Sequence, residues 1–266
     1  MQSWTIGAAE ITRVDDPGFE LILPSDERTT AALQRAPWLQ PAFVTEDWAL
    51  RVGSSATVIR AAGSVVVVDP FLAFDDPERH GPRLRALREA GVEADDVDVV
   101  VNTHIDGLGV NLLLDGSPTF PRARYLVPRA EIEGIRSGDH PESEHREVVD
   151  LHDAGTIEAT DGHEEVAPGV HLADAPGHNP GHHVVWVGDG DARAVVVGHL
   201  FLHPAQIASP EVTTGDRDPV LLEKTRRALL AQCVEDDALL VGPLFAAPGA
   251  GRVVPHGDTW RLAPAG

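Results

Sequence analysis

Histidine is the residue type with the most chemistry to offer in this chain. Thirteen of the 266 residues are histidine, and several stand just past valine-rich runs. Four segments carry their distinctive residues at such places: Thr103-His104-Ile105-Asp106, Pro176-Gly177-His178-Asn179-Pro180-Gly181-His182-His183, Gly198-His199 and Gly242-Pro243-Leu244. Imidazole exchanges protons near neutral pH and, when neutral, is a common metal ligand. A carboxylate such as Asp106 can orient a ring and raise its pKa for acid–base work. Loops that follow strands along one sheet edge are a usual way to gather such groups into a site.

The elements that would position them are short and numerous. Ala56 to Arg60 and Ser64 to Val68 flank Ala61-Ala62-Gly63 and predict a hairpin. Asp98 to Asn102, Tyr125 to Pro128, Val170 to Ala173 and Leu239 to Gly242 read as further strands. His183 to Val187 and Ala194 to Gly198, split by Gly188-Asp189-Gly190-Asp191, predict a second hairpin. Arg252 to Val254 with Thr259 to Leu262 predicts a terminal one. Helices are expected over Pro82 to Ala90 before Gly91, over Ala130 to Ser137 before Gly138, and over Val220 to Glu235 after Asp218-Pro219. Many strands and few helices suit two mixed sheets packed together, with helices outside.

Beyond these patterns, the chain resembles the metallo-β-lactamase superfamily, near its lactonase and organophosphate-hydrolase-like branch. The resemblance is carried by Val65 to Pro70, Val99-Val100-Val101-Asn102-Thr103-His104, Phe120 to Tyr125, Pro176-Gly177-His178-Asn179-Pro180-Gly181-His182, Gly198 to Gln206 and Val241 to Val253. It runs from about Thr57 to Trp260. It implies an α+β fold, a four-layer αβ/βα sandwich over 1–266, with 1–55 as an N-terminal extension or strap. It also implies a metal site between the sheet edges.

The metal motif departs from the family pattern, Thr-His-x-His-x-Asp-His-x-Gly-x-Asn. Here the segment is Thr103-His104-Ile105-Asp106-Gly107-Leu108-Gly109-Val110-Asn111, shorter by two residues and with Gly107 where the last histidine would be. The resemblance matches His104, Asp106 and His178 to ligands. It puts His199 at the bridging aspartate and Leu244 at the final histidine. A paired di-metal centre is therefore not expected. His104, His178 and His199 with Asp106 suit one zinc ion at about 2.0–2.2 Å, with iron or manganese as second choices. Asp106, His199 and His178 are the expected catalytic groups, and a metal-free pocket with His199 and Asp106 as its acid–base pair stays open.

Other residues are expected around this centre. His182 is expected to support its loop. Phe71, Phe74, Phe201, His203, Leu244 and Phe245 are expected to line an apolar substrate pocket, with core filling an equal alternative for Phe201. His80, His140, His145, His152, His163, His171 and His256 lie among charged or turn residues and are expected mostly at the surface.

Composition narrows the function. Lys+Arg total 21 against 42 Asp+Glu, a net charge of −21. That argues against a nucleic-acid partner, which needs a basic face, and disfavours an anionic membrane. No run approaches the roughly 18–20 apolar residues of a spanning helix. Met1 to Glu10 has no signal-peptide pattern, and Cys233 is the single cysteine, so a cytoplasmic protein is expected. Three functions follow: hydrolysis of a small apolar ester or lactone with at most one metal; a metal-independent isomerase, lyase or cyclase using a His/Asp pair; or a non-catalytic ligand-binding module. A small-molecule substrate and a homodimer complete the expectation.

Overall fold

The computed structural model describes residues 1–70, 77–105, 118–140, 145–190, 192–213 and 215–265. Two seven-stranded sheets face each other. The first contains β1 (Gln2–Ile6), β2 (Ala9–Asp15), β5 (Ser55–Ala61), β6 (Ser64–Val68), β7 (Val99–Val101), β8 (Arg124–Pro128) and β9 (Ile157–Thr160), in that spatial order. The second contains β10 (Glu165–Ala167), β11 (Val170–Asp174), β12 (His183–Val187), β13 (Ala194–Val196), β14 (Leu239–Val241), β15 (Ala250–His256) and β16 (Thr259–Pro264), again in order. A small ribbon, β3 (Leu21–Leu23) with β4 (Leu50–Val52), stands apart from both.

The valine runs explain the layering. Side chains alternate across a strand, so a run buried on both faces must be apolar throughout. In β6, Val66 and Val68 join the core between the sheets, while Val67 joins the core under the outer helices. In β7 the same split separates Val99 and Val101 from Val100. In β12, Val185 and Val187 face inward and Val184 and Trp186 face out. The outer layer of the first sheet contains α2 (Pro77–Glu89), α3 (Arg129–Ser137) and α4 (Glu147–Asp153). The second sheet is covered by α6 (Pro219–Glu235), through Leu222, Leu229, Leu230 and Cys233, and by a strap that includes α1 (Glu27–Leu33), Leu39 and Phe43. A short helix, α5 (Ala205–Ala208), packs near β16.

Both expected hairpins in the middle of the chain form: Ala61 pairs with Ser64, and Val187 pairs with Ala194. Gly138 caps α3 in the left-handed conformation, φ 84°, and the Asp218 side chain caps α6 by accepting from Leu221 N–H at 3.0 Å. The first fifteen residues hold a β1–β2 hairpin that completes the first sheet, where the sequence suggests only an extension. Leu21, Ile22 and Leu23 of the small ribbon remain exposed.

Candidate metal centre

Each sheet has a parallel step near its middle, β6 beside β7 in one and β13 beside β14 in the other. Just past three of these four strands stand Asp69, His104 and His199. Asp69 takes a left-handed φ of 43° just after β6, and its carboxylate accepts Thr103 N–H and the Thr103 hydroxyl, both at 2.8 Å. Burial raises the Asp69 carboxyl above its ordinary range, against these two bonds and the nearby His199 charge.

The Thr103 hydroxyl thus spends its one donor on Asp69, and its oxygen accepts from His104 Nδ1 at 3.0 Å. This relay assigns the proton of His104 to Nδ1 and turns the Nε2 lone pair toward His199, whose Nδ1 lies 2.9 Å away. The carbonyl of Thr103 accepts from His183 N–H at 2.8 Å, tying the exit of β7 to the start of β12 in the other sheet.

His199 sits in a 3-10 turn, Gly198–Leu200. Gly198 has φ +52°, and a Cβ there would meet Thr103 Oγ1 at 2.4 Å and His182 Nε2 at 2.7 Å, so only glycine fits. The His199 N–H donates to His182 Nε2 at 3.0 Å, which makes His182 the loop support expected of it. Burial first, and then the charges of His104, His178 and His199, hold the His182 imidazole well below its ordinary pKa, so it stays neutral and able to accept.

His178 comes from the turn between β11 and β12. Its Nδ1 lies 2.7 Å from Asp216 Oδ1, and the Asp216 side chain is fully buried. The ring centroids of His104 and His199 are 4.3 Å apart, those of His104 and His178 5.1 Å, and those of His178 and His199 5.5 Å.

One ligating nitrogen from each of His104, His178 and His199 can be chosen so that all three lie within 4.8 Å of one another. Zinc–nitrogen bonds of about 2.0–2.1 Å put donors within about 4.2 Å of one another, so the set has nearly the right size and needs at most a small closing of the rings, with a fourth position left for water or substrate. The residues therefore fit a zinc ion. The chemistry agrees with the geometry: three mostly buried imidazoles, each a nitrogen donor that zinc accepts, gather at one point. Asp106, the expected fourth ligand, lies outside the described residues, as do Phe71 and Phe74.

A residue that sequence reasoning passed over holds the loops together. Glu131, in the first turn of α3, is fully buried. Its carboxylate accepts Ile105 N–H at 3.1 Å, Gly181 N–H at 3.2 Å, the Asn179 amide at 3.3 Å and His140 Nε2 at 2.7 Å. Asn179 also donates to the Ile105 carbonyl at 3.1 Å. Burial pushes the Glu131 carboxyl up, but the His140 bond, the charges of His104 and His140 and the Ile105 amide outweigh it and hold it below its usual range. His140, expected at the surface, is buried at 6% exposure because it serves this carboxylate.

The expected pocket residues are placed as follows. Phe201 and Phe245 are fully buried in the core beneath α6 and the strap, and Phe245 packs edge-on against Phe43 at 6.4 Å. Leu244 is 7% exposed, and its carbonyl accepts from Gly53 N–H at 2.9 Å. Both nitrogens of His203 are engaged by backbone: Nε2 with the Phe43 carbonyl at 2.8 Å and Nδ1 with Ala205 N–H at 3.0 Å. His203 therefore staples the strap to its own turn, and burial lowers its pKa to about 4.

Residues 49–243 match the family model described as Metallo-beta-lactamase superfamily. An N-acyl homoserine lactonase of Bacillus thuringiensis is 28% identical over 137 residues, 51% of this chain and 50% of that protein. The N-acyl homoserine lactonase AiiA of Bacillus thuringiensis subsp. kurstaki matches to the same extent, so the chain aligns with about half the length of these curated relatives. Among solved structures, AidC, a dizinc quorum-quenching lactonase in complex with a product, superposes with a TM-score of 0.79 at 17% identity, covering 100% of this chain and 97% of that one. The hydrolase AbOPH gives 0.80 at 17% identity, covering 99% and 97%. At such identity the structural likeness shows the four-layer αβ/βα fold.

Proposed function

The chain belongs to the metallo-β-lactamase superfamily, and from that premise we propose that it is a hydrolase of a small, fairly apolar ester or lactone, working with a single metal ion. The convergence of His104, His178 and His199 is the observation that carries this reading. The lactonase relatives, one of them solved with a product bound, support a cyclic or acyclic ester as the substrate class.

Zinc held there would polarise a carbonyl and lower the pKa of a coordinated water to about 7. The protein's own groups do the rest. Thr103 and Asp69 keep the His104 Nε2 lone pair directed inward. Asp216 occupies His178 Nδ1 and leaves Nε2 for ligation. His182 fixes the His199 backbone. Asp106 is proposed as fourth ligand or as base for the attacking water, on its sequence position alone. The single ion follows from the loss of carboxylate and histidine at His199, Gly107 and Leu244 relative to the family pattern.

Metal analysis of protein purified without chelator tests the proposal. About one equivalent of zinc, iron or manganese is expected, lost in His199→Ala and His178→Ala together with ester or lactone turnover. No metal after soaking, or turnover retained in His178→Ala, overturns it.

One observation favours a second reading. The 2.9 Å contact between His104 Nε2 and His199 Nδ1 is a proton-sharing pair as it stands. Such a pair could move a proton in an isomerisation, elimination or cyclisation. Conversion without gain of water in chelator-treated protein would favour it. We propose a cytoplasmic location under either reading, on the single cysteine of the chain. Among the described residues no helix is long and apolar enough to cross a membrane.

A further inference from the structure

We infer that Asp216 is a positioning residue for His178, fixing which ring nitrogen carries the proton and which faces the site. The inference deepens the metal-centre reading and rests on it for its role in ion binding. The Asp216 side chain is fully buried, and its Oδ1 lies 2.7 Å from His178 Nδ1. A charge-assisted bond this short holds the ring with its proton on Nδ1 and its lone pair on Nε2.

Asp216 stands in the segment just before α6, and its chain neighbours bind the turn that carries His178. Arg217 N–H donates to the His178 carbonyl at 3.0 Å, and Asp218 N–H to the Gly177 carbonyl at 2.9 Å. Asp218 then caps α6, with Pro219 as its first residue. About two turns on, Thr225 Oγ1 donates to the Pro176 carbonyl at 2.9 Å. Gly177 lies so close to α6 that a Cβ would meet Leu222 Cα at 2.4 Å. The start of α6 and the histidine turn are thus tied together, with Asp216 at their junction.

Behind them stands Arg226, fully buried on α6 and acting electrostatically with Asp216. Its guanidinium donates to the carbonyls of Leu200 at 2.6 Å and Pro210 at 3.1 Å, and lies 5.5 Å from the Phe201 ring centre. The same helix therefore governs the segment just after His199. A carboxylate on the far nitrogen of a ligating histidine fixes the tautomer and strengthens the ligand, and its loss typically costs about 10–100-fold in metal affinity.

The test uses the whole chain with 15N-labelled histidine, free of metal, and long-range proton–nitrogen correlation spectra. In the wild type, His178 is expected to carry its proton on Nδ1; a proton on Nε2 overturns the inference whatever the variants do. Asp216→Ala should move the proton to Nε2 or mix the two forms. It should also weaken zinc binding, read by chelator competition, about 10–100-fold. Asp216→Asn keeps an acceptor oxygen and should restore the wild-type tautomer and most of the affinity. A folded Asp216→Ala protein with the wild-type tautomer and affinity overturns the inference. Zinc binding absent in every form, with a tautomer that still depends on Asp216, instead overturns the metal reading and leaves the positioning role standing.

Discussion

The two sheets deliver their histidines in different ways. The first supplies His104 directly from the exit of a parallel strand, three residues past Val101. Its anchor is Asp69, at the exit of the adjacent strand, through Thr103. The second sheet supplies His199 from an equivalent exit but spends the exit of β14 on Leu244, whose carbonyl is tied to Gly53. Its other histidine, His178, comes from a turn between antiparallel strands and is held by Asp216, in the segment that leads into α6. A strand exit inherits its position from the sheet ladder, whereas a turn residue must borrow rigidity from elsewhere. Glu131 is where the two solutions meet, since it binds Ile105 from one and Gly181 from the other.

Breaking that meeting point should have the largest effect. Glu131→Ala would strand two backbone N–H groups, the Asn179 amide and His140, and is expected to destabilise the protein by about 3–5 kcal/mol in denaturant unfolding. Glu131→Gln should cost less, because an acceptor oxygen remains. The depressed carboxyl also gives a pH test. Its contribution is present above the unfolded glutamate pKa of about 4.3 and is lost as pH falls through the lower folded value. An alanine variant as stable as wild type would mean that the two loops hold themselves.

Gly198→Ala probes the His199 turn, where the second sheet meets Thr103 of the first. Strain at φ +52° and a clash with Thr103 and His182 should cost about 2–4 kcal/mol and loosen metal uptake, read by thermal unfolding and metal analysis. The strap over that sheet offers a milder test. With His203 lowered to about 4, the unfolded chain takes up a proton near 6.5 while the folded one does not. Stability should therefore fall by up to about 3 kcal/mol as pH drops from about 6.5 to about 4. His203→Gln should flatten that limb of the stability curve. At the bottom of the scale, Arg124→Ala removes a mostly exposed pair with Glu158 on the first sheet and should change stability by less than about 1 kcal/mol.

The sequence made the β-strand frame legible because its valine runs leave no other burial pattern open. Gly138 and Asp218-Pro219 likewise marked helix ends by backbone chemistry that few other residues supply. The β1–β2 hairpin was hidden because Gln2–Ile6 mixes polar residues on a mostly exposed edge. His104, His178 and His199 were legible through motif resemblance, and the structure brings them together. Glu131 was not: an acid in the first turn of an amphipathic helix reads as a surface residue favoured by the helix dipole. Its burial arises from Gly181, where a Cβ would meet Pro128 Cβ at 2.9 Å and Glu131 Cγ at 3.2 Å. Asp216 was equally silent, being one more acid beside a capping aspartate.

The bridge across Glu131 also dictates an order of assembly. Asn179 and Ile105 are 74 residues apart in the chain, and His104 and His199 are 95 apart. Contacts of that span close late, after local hairpins and helices have formed. A ribosome-bound chain that has released only its first sheet holds one of the three imidazoles and no partner for its Glu131 clamp in the second. Ion capture would then mark the completed fold, and an ion lost from the finished protein would be felt first as a weakened seam between its halves.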